Sequence, residues 1–377
     1  MADTGPTDTP QGKEAAPHAC CPEVYTKPPP QPTEKKPGQL SQEQVRQYFD
    51  EGYVLVKDFF KPDELQPVRD AVEDLVDELA QRMHKAGKIT DTHQDAGLFS
   101  RLTLLNNDFP GAAVVLHKKG TLPQAFRDLW SNERLLNVME QFIGPEIAGH
   151  PIWNLRTKTP RNEEVTVPWH QDNAYLSVHS IGTLQPTAWI PLLDTNKDNG
   201  CMQVVKGGHR KGITASHVCC VGGTWYVELP EDEIQNTLGC DLKNDIVTCE
   251  VPYGGVLFLN NAIPHRSLEN NTDKIRWSLD LRWQHPDKPC GFEGIKDVIP
   301  MRSAKNPDLK PDWEKFESVD RTGNQQRQMN NEAGAEDEFD TTIQGPWMLR
   351  WEIVNHNKHT RSILGEDRSK NPNWTKA

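Results

Sequence analysis

From about Ile147 the chain changes texture, and that change limits its fold more than any other feature. Short runs rich in β-branched and aromatic residues follow one another, separated by Gly, Pro, Asn and Asp: Trp189–Leu193, Met202–Val205, Ile246–Val251, Val256–Leu259 and Ile275–Trp283. Several short strands with turn residues between them point to a sandwich or barrel. Upstream the period is helical. Ser41 and Gln44 fit a capping box, Val45, Tyr48 and Phe49 share one helical face, and Gly52 ends the helix before a strand over Tyr53–Val56. Pro62-Asp63-Glu64 opens a second helix, in which Leu65, Val68, Val72, Leu75 and Leu79 recur over five or six turns. A third is expected over Leu122–Phe142, ended by Gly144-Pro145.

Composition marks out the ends. Residues 1–40 are rich in Pro, Thr and Lys and have almost no apolar content, so they read as a disordered Pro-rich tail. After Pro289 the chain is polar again, with long loops over 303–340 and a hydrophilic stretch over 353–377. The expected organisation is a tail over 1–40, one folded domain over 41–290 (helices 41–145, β core about 147–290), and polar loops with a C-terminal extension over 291–377.

The informative stretch is Pro168-Trp169-His170-Gln171-Asp172. In an extended strand, side chains at i and i+2 point the same way, so His170 and Asp172 can reach one metal ion while Gln171 points elsewhere. A third ligand has to come from a distant strand. Gly254–Leu259 reads as a buried strand, Asn260–Pro264 as the loop after it, and His265 follows at once. Two histidines and a carboxylate on one face leave the opposite face of an octahedral ion open, as in non-haem iron(II) oxygenases. An H-x-D triplet alone is weak evidence. His93-Gln94-Asp95 repeats it inside the polar run Lys88–Gly97, with no apolar strand beside it, and reads as a loop.

Arg276 separates the two copies. It lies eleven residues after His265 within Ile275-Arg276-Trp277-Ser278-Leu279, where a charge is costly unless paired. Its planar fork matches a carboxylate. The simplest partner is a bound 2-oxo acid whose other end chelates the metal. A salt bridge to a local Asp or Glu is the ordinary alternative.

The 377 residues carry 42 basic and 54 acidic side chains, a formal net charge of −12. That balance speaks against nucleic acid, which is bound by clustered Lys and Arg, and gives no attraction to an anionic membrane. No stretch approaches the roughly 18–20 apolar residues of a membrane span. The N-terminus lacks the basic flank and apolar centre of a secretory signal, and the ending Thr-Lys-Ala is not a peroxisomal tripeptide. None of the eight cysteines forms a C-x-x-C pair. Free thiols in a reducing cytoplasm are the expectation, a setting that suits a ferrous enzyme.

Taken in order, several segments resemble the phytanoyl-CoA dioxygenase family. They are His170-Gln171-Asp172, Asp198-Asn199-Gly200-Cys201-Met202 with Lys206-Gly207-Gly208-His209, His265 with Ser267, and Arg276. The likeness covers roughly residues 41–290. It implies an α+β chain with a mainly β core, a double-stranded β-helix (the cupin-like jelly-roll of two facing sheets) buttressed by N-terminal helices. It also implies iron(II), 2-oxoglutarate and dioxygen, and a small organic substrate that is hydroxylated or otherwise oxidised as 2-oxoglutarate is decarboxylated to succinate and CO2. By residue match His170, Asp172 and His265 would bind iron. Arg276 would pair with the distal carboxylate of 2-oxoglutarate, and Ser267 would hydrogen-bond to it. Gln171, Trp189 and, more loosely, Asn154 match positions that touch this co-substrate. The carboxylate of Asp172 favours hydroxylation over halogenation, because related halogenases carry a small residue there to admit chloride.

The chain departs from the family's Pro-Gly-Ser-His turn, which reads Lys206-Gly207-Gly208-His209. The turn glycine is kept, and His209 is expected to make a turn contact. Lys118-Lys119 and Lys206, Arg210 and Lys211 are candidates for a patch that would receive a polyanionic CoA substrate. Two other readings stand beside the resemblance: a jelly-roll that binds without catalysis, and a zinc or manganese enzyme on a cupin-like barrel. Arg276 argues against the second, because a zinc hydrolase needs no buried clamp for an oxo acid.

Overall fold

A computed structural model describes residues 20–329 and 337–363. In the larger sheet, Tyr53–Val56 pairs with Val256–Leu259, then Thr187–Pro191, then Arg276–Gln284, all antiparallel. The other edge of Arg276–Gln284 is shared by Asn154–Lys158 and Ile147–Gly149, and Ile299–Arg302 pairs beyond. The smaller sheet runs His265–Ser267, Met202–Val205, Ile246–Cys249. Inner faces of the two sheets meet where Trp189, Leu257 and Leu259 pack with Met202, Val204 and Cys249. This is the double-stranded β-helix; the six strands given bounds from the sequence fall within two residues of them, while Ile147–Gly149, Asn154–Lys158, His265–Ser267 and Ile299–Arg302 had no such bounds.

The outer face of the larger sheet is covered by helices. Ala188, Ile190, Val256, Phe258, Trp277, Leu279 and Leu281 share one core with Val68, Val72, Leu75 and Leu79 of the helix Gln66–Lys85. The helix Gln42–Glu51 has the Ser41–Gln44 capping box and ends on Gly52 at φ 89°. A Cβ on Gly52 would stand 2.6 Å from His209 Nδ1. His209 Nε2 meets Phe49 O at 2.8 Å, so His209 joins its turn to the end of this helix. The single helix expected over Leu122–Phe142 is two, Gln124–Trp130 and Glu133–Ile143, because Asn132 caps the second by accepting from Arg134 N. Arg101–Asp108 and Ala112–Lys119 form two helices that the periodicity missed. Ala112–Leu116 is buried on every side, so it carries no amphipathic stripe.

Both ends differ from expectation. Within the segment read as a disordered tail, residues 20–40 are anchored by buried Tyr25 and Leu40; residues 1–19 lie outside the described part. Tyr25 is fully buried in the helix Pro22–Thr26 and its hydroxyl donates to Ile181 O at 2.5 Å. Gln141 accepts from Leu40 N and donates to Leu40 O, so the core supplies the bonds that extended backbone lacks. The segment after 290 is likewise more than polar loops. Phe292, Trp347, Met348, Leu349 and Trp351 form a second core with Cys219, Cys220, Trp225 and Val227. Arg350 Nη1 donates to Asn173 O and Leu176 O, and Trp351 Nε1 to Ala174 O. A few large side chains at irregular spacing anchor these segments, and such spacing leaves no periodic trace. No helix among the described residues is long and apolar enough to cross a membrane.

Candidate active site

The centre is built on one backbone pairing. His170 and His265 face each other in an isolated antiparallel bridge and exchange both backbone hydrogen bonds, at 3.0 and 2.9 Å. Residues opposite one another in such a bridge project to the same side, and the imidazole centroids lie 4.1 Å apart. The strand expected through the triplet ends at His170. Gln171 alone stays extended (φ −105°, ψ 135°), which returns Asp172 to the side of His170 before the chain turns into the 3-10 helix Asp172–Tyr175.

Donor atoms of His170, Asp172 and His265 lie within 4.8 Å of one another, and all three residues are buried. Nδ1 of His170 lies 2.9 Å from Pro168 O, and Nδ1 of His265 lies 3.0 Å from Ile263 O. A carbonyl only accepts, so each Nδ1 carries hydrogen. Each Nε2 faces Asp172 Oδ1, at 3.5 and 3.7 Å. Burial, and then the facing His170, lowers the His265 pKa to about 4, so at neutral pH it is ready to ligate. Asp172 Oδ2 accepts from Arg282 Nε at 3.0 Å and Thr187 Oγ1 at 3.2 Å. Burial alone would raise this carboxyl; Arg282 and the imidazoles outweigh it and hold it well below the usual carboxylate range. Two imidazole nitrogens and a carboxylate, each oriented by an outer hydrogen bond, fit a divalent iron. The echo at His93 goes elsewhere: its Nε2 pairs with Asp108 at 2.7 Å.

A cavity opens beside the imidazoles, lined also by Trp189, Met202, Ser267 and Arg276. Arg276 is 2% exposed, and Asp280 on the same strand is paired instead with Arg156 at 2.7 Å. The local ion pair that was the ordinary alternative for Arg276 is absent among the described residues. Its Nη1 donates to Ser278 Oγ at 2.7 Å, its Nε has no partner, and its guanidinium stands 5.3 Å from the Trp189 ring centroid. Burial lowers its pKa to about 10, which leaves it charged at neutral pH. Ser267 Oγ accepts from Val167 N and keeps its own proton to donate.

Two residues implied by the resemblance stand elsewhere. Gln171 was expected at the co-substrate; its amide instead donates to Ile213 O and Ala262 O and accepts from Ala215 N, which ties three loops together. Asn154 lines a second cavity and not the one around Arg276. Trp169 and Trp283 are core. Sequence reading missed Arg282, Asp280, Arg156 and Thr187. A signal for two of them was present: Arg276, Ser278, Asp280, Arg282 and Gln284 alternate with Trp277, Leu279, Leu281 and Trp283, a polar stripe on one face of a buried strand.

The second cavity, sharing Arg156, Tyr226 and Arg282 with the first, reaches Asp172 and is walled by Tyr175, Trp225, Tyr226, Phe292 and Trp347. It shares His117, Asn154 and Arg321 with an outer cavity that opens among exposed residues.

Residues 48–278 match the family model described as phytanoyl-CoA dioxygenase (PhyH). The chain belongs to the phytanoyl-CoA dioxygenase family. With the His–Asp–His centre in place, this family member is a non-haem iron(II)- and 2-oxoglutarate-dependent oxygenase. It is 23% identical over 289 residues to the phytanoyl-CoA dioxygenase domain-containing protein 1 homolog of Dictyostelium discoideum, covering 70% of this chain and 99% of the relative. It is 26% identical over 177 residues to 1-deoxypentalenic acid 11-beta-hydroxylase of Streptomyces arenae, covering 45% of this chain and 60% of that one. Among solved structures, EctD from S. alaskensis with 2-oxoglutarate and 5-hydroxyectoine is similar at 17% identity and a TM-score of 0.49, covering 79% of this chain and 90% of that one.

Buried histidines around the site set its acid limit. His217 accepts from Gln171 N at 3.1 Å and His150 from Ile152 N at 3.2 Å; burial lowers their pKa to about 3 and about 4. In the unfolded chain both titrate near ~6.5. Below that pH the unfolded state takes up protons that the folded state refuses. Stability is therefore full above pH 6.5 and falls on acidification towards pH 4, by about 1.4 kcal/mol per pH unit for each such histidine. Urea unfolding of the metal-free protein should show this slope, reduced by about one proton in His217→Gln. Equal slopes in the two proteins would refute the assignment.

Proposed function

We propose that His170, Asp172 and His265 hold the iron, that Arg276 and Ser267 anchor the distal carboxylate of 2-oxoglutarate, and that a small organic substrate with an apolar body is hydroxylated from the second cavity. One observation carries the reading: a buried, charged guanidinium without a carboxylate opens onto the cavity beside the two imidazoles. Such a group is costly in empty protein, and a dicarboxylate filling the cavity relieves it. When bound, iron and 2-oxoglutarate supply the oxidising chemistry, with succinate and CO2 as co-products. The chain's own share is to position and to exclude water. Trp189 and Met202 flank the clamp, while Arg282 and Thr187 fix one oxygen of Asp172 and leave the other toward the imidazoles. A carboxylate at 172 supports hydroxylation rather than halogenation.

The surface argues for a small substrate over a CoA thioester. At the cavity mouth Lys118 is paired with Asp340 at 2.9 Å and Lys119 with Glu78 at 2.7 Å. Arg210 and Lys211 bond to Asp50 O and Thr237 O, away from the cavities. The CoA phosphates would need several unpaired cations.

The test is to add iron(II) and then 2-oxoglutarate to metal-free protein without oxygen. A weak visible charge-transfer band that requires both components is expected. Iron binding without the band would indicate another metal enzyme, and binding of neither would overturn the reading.

A further inference from the structure

The segment after residue 290 lies outside the family match yet forms a wall of the substrate cavity. Arg321, the first residue of the helix Arg321–Gln328, lines both the inner apolar cavity and the outer one. Its guanidinium stands 5.3 Å from the Phe292 ring centroid, and among the described residues it has no ion pair or side-chain hydrogen bond. Among the described residues, the acids nearest to it along the outer cavity are engaged. Asp340 pairs with Lys118, Glu317 pairs with Arg127, and Asp320 caps the helix by accepting from Gly323 N at 2.9 Å. Lys296, on the outer rim, sits 4.1 Å from the Phe316 ring centroid and stays out of the inner cavity. Burial, and then Arg282 beyond it, lowers the Arg321 pKa to about 10, so it remains a cation. One unpaired guanidinium thus stands where an aromatic pocket meets the outer opening. A neutral ligand would leave it partly desolvated without a counter-charge; a carboxylate would take both prongs of its fork.

We propose that the substrate is a monoanionic organic acid, its carboxylate gripped by Arg321 and its apolar body lying among Trp225, Phe292 and Trp347 toward Asp172. The proposal rests on the reading that substrate occupies the second cavity. It makes Arg321 the residue that selects substrate by charge.

Matched carboxylate and amide pairs test it: decanoate and decanamide, indole-3-acetate and indole-3-acetamide, 4-phenylbutyrate and its amide. Each is titrated calorimetrically into the full chain held without oxygen in iron(II) and 2-oxoglutarate, so that the Arg276 clamp is filled. At least one carboxylate should bind about tenfold or more tighter than its amide, as a charge-assisted pair implies. That preference should vanish in Arg321→Gln and largely persist in Arg321→Lys, with amide affinity unchanged. No preference in any pair, or a preference that survives Arg321→Gln, overturns the proposal. The visible band is read in the same samples. Its absence would sink the iron and 2-oxoglutarate assignments, while the calorimetry still decides the role of Arg321.

Discussion

Asp172→Gly is expected to lower 2-oxoglutarate turnover by on the order of 1,000-fold or more and also to weaken the fold. The first loss is that of one of three ligands. The second comes from Arg282, 6% exposed, whose Nε loses its acceptor at 3.0 Å. Breaking one partner of a buried ion pair costs about 3–5 kcal/mol. The lower end applies here, because Asp280 still stands 3.8 Å from Arg282 Nη2. The two losses separate in a second variant. Asp172→Gly with Arg282→Met removes the stranded charge, so urea unfolding should return toward wild type while turnover stays absent. Full turnover in Asp172→Gly alone would remove Asp172 from the metal shell. A double variant as unstable as the single one would mean that Arg282 was not the source of the cost.

Arg276→Met carries the second large effect, and its sign differs between two measurements. Losing one side of a buried charge pair costs about 2–4 kcal/mol in co-substrate binding. The KM for 2-oxoglutarate should therefore rise roughly 30- to 1,000-fold. Iron affinity should stay within a few-fold, because Arg276 is not among the three clustered ligand residues. The metal-free protein should unfold at the same or a higher urea concentration, since the variant deletes a buried cation that has no carboxylate. A purely structural arginine would behave the other way, with a destabilised fold and an unchanged KM.

Much of the site was legible because it sits on short strands. Period-two spacing puts His170 and Asp172 on one side, and an arginine within an apolar run announces an unmet charge. The same period extended along Arg276–Gln284 exposes Asp280 and Arg282 as well, but their partners Arg156 and Asp172 come from other elements. Gln171 misled because a side chain between two ligands is read as part of their site. Its actual task, bonding the backbones of two other loops, depends on contacts that no local pattern encodes. The two ends were misread for a different reason. Average composition described them as polar, whereas Tyr25 and Phe292 bury single rings and Trp347–Trp351 is one short apolar run within a long polar stretch. A single ring removes roughly 150–250 Å² from water, enough to hold a polar segment down.

The bridge between His170 and His265 also bears on how the protein is made. A chain emerging from the ribosome at roughly 5–20 residues per second displays His170 and Asp172 several seconds before His265. Through that interval only two of the three clustered ligands have left the ribosome. Only when the smaller sheet docks, and the two histidines exchange their backbone bonds, does a three-point seat exist. The three-point seat is therefore a product of the finished fold. An ion that prefers this seat to the unfolded chain adds that difference in binding energy to the stability of the fold.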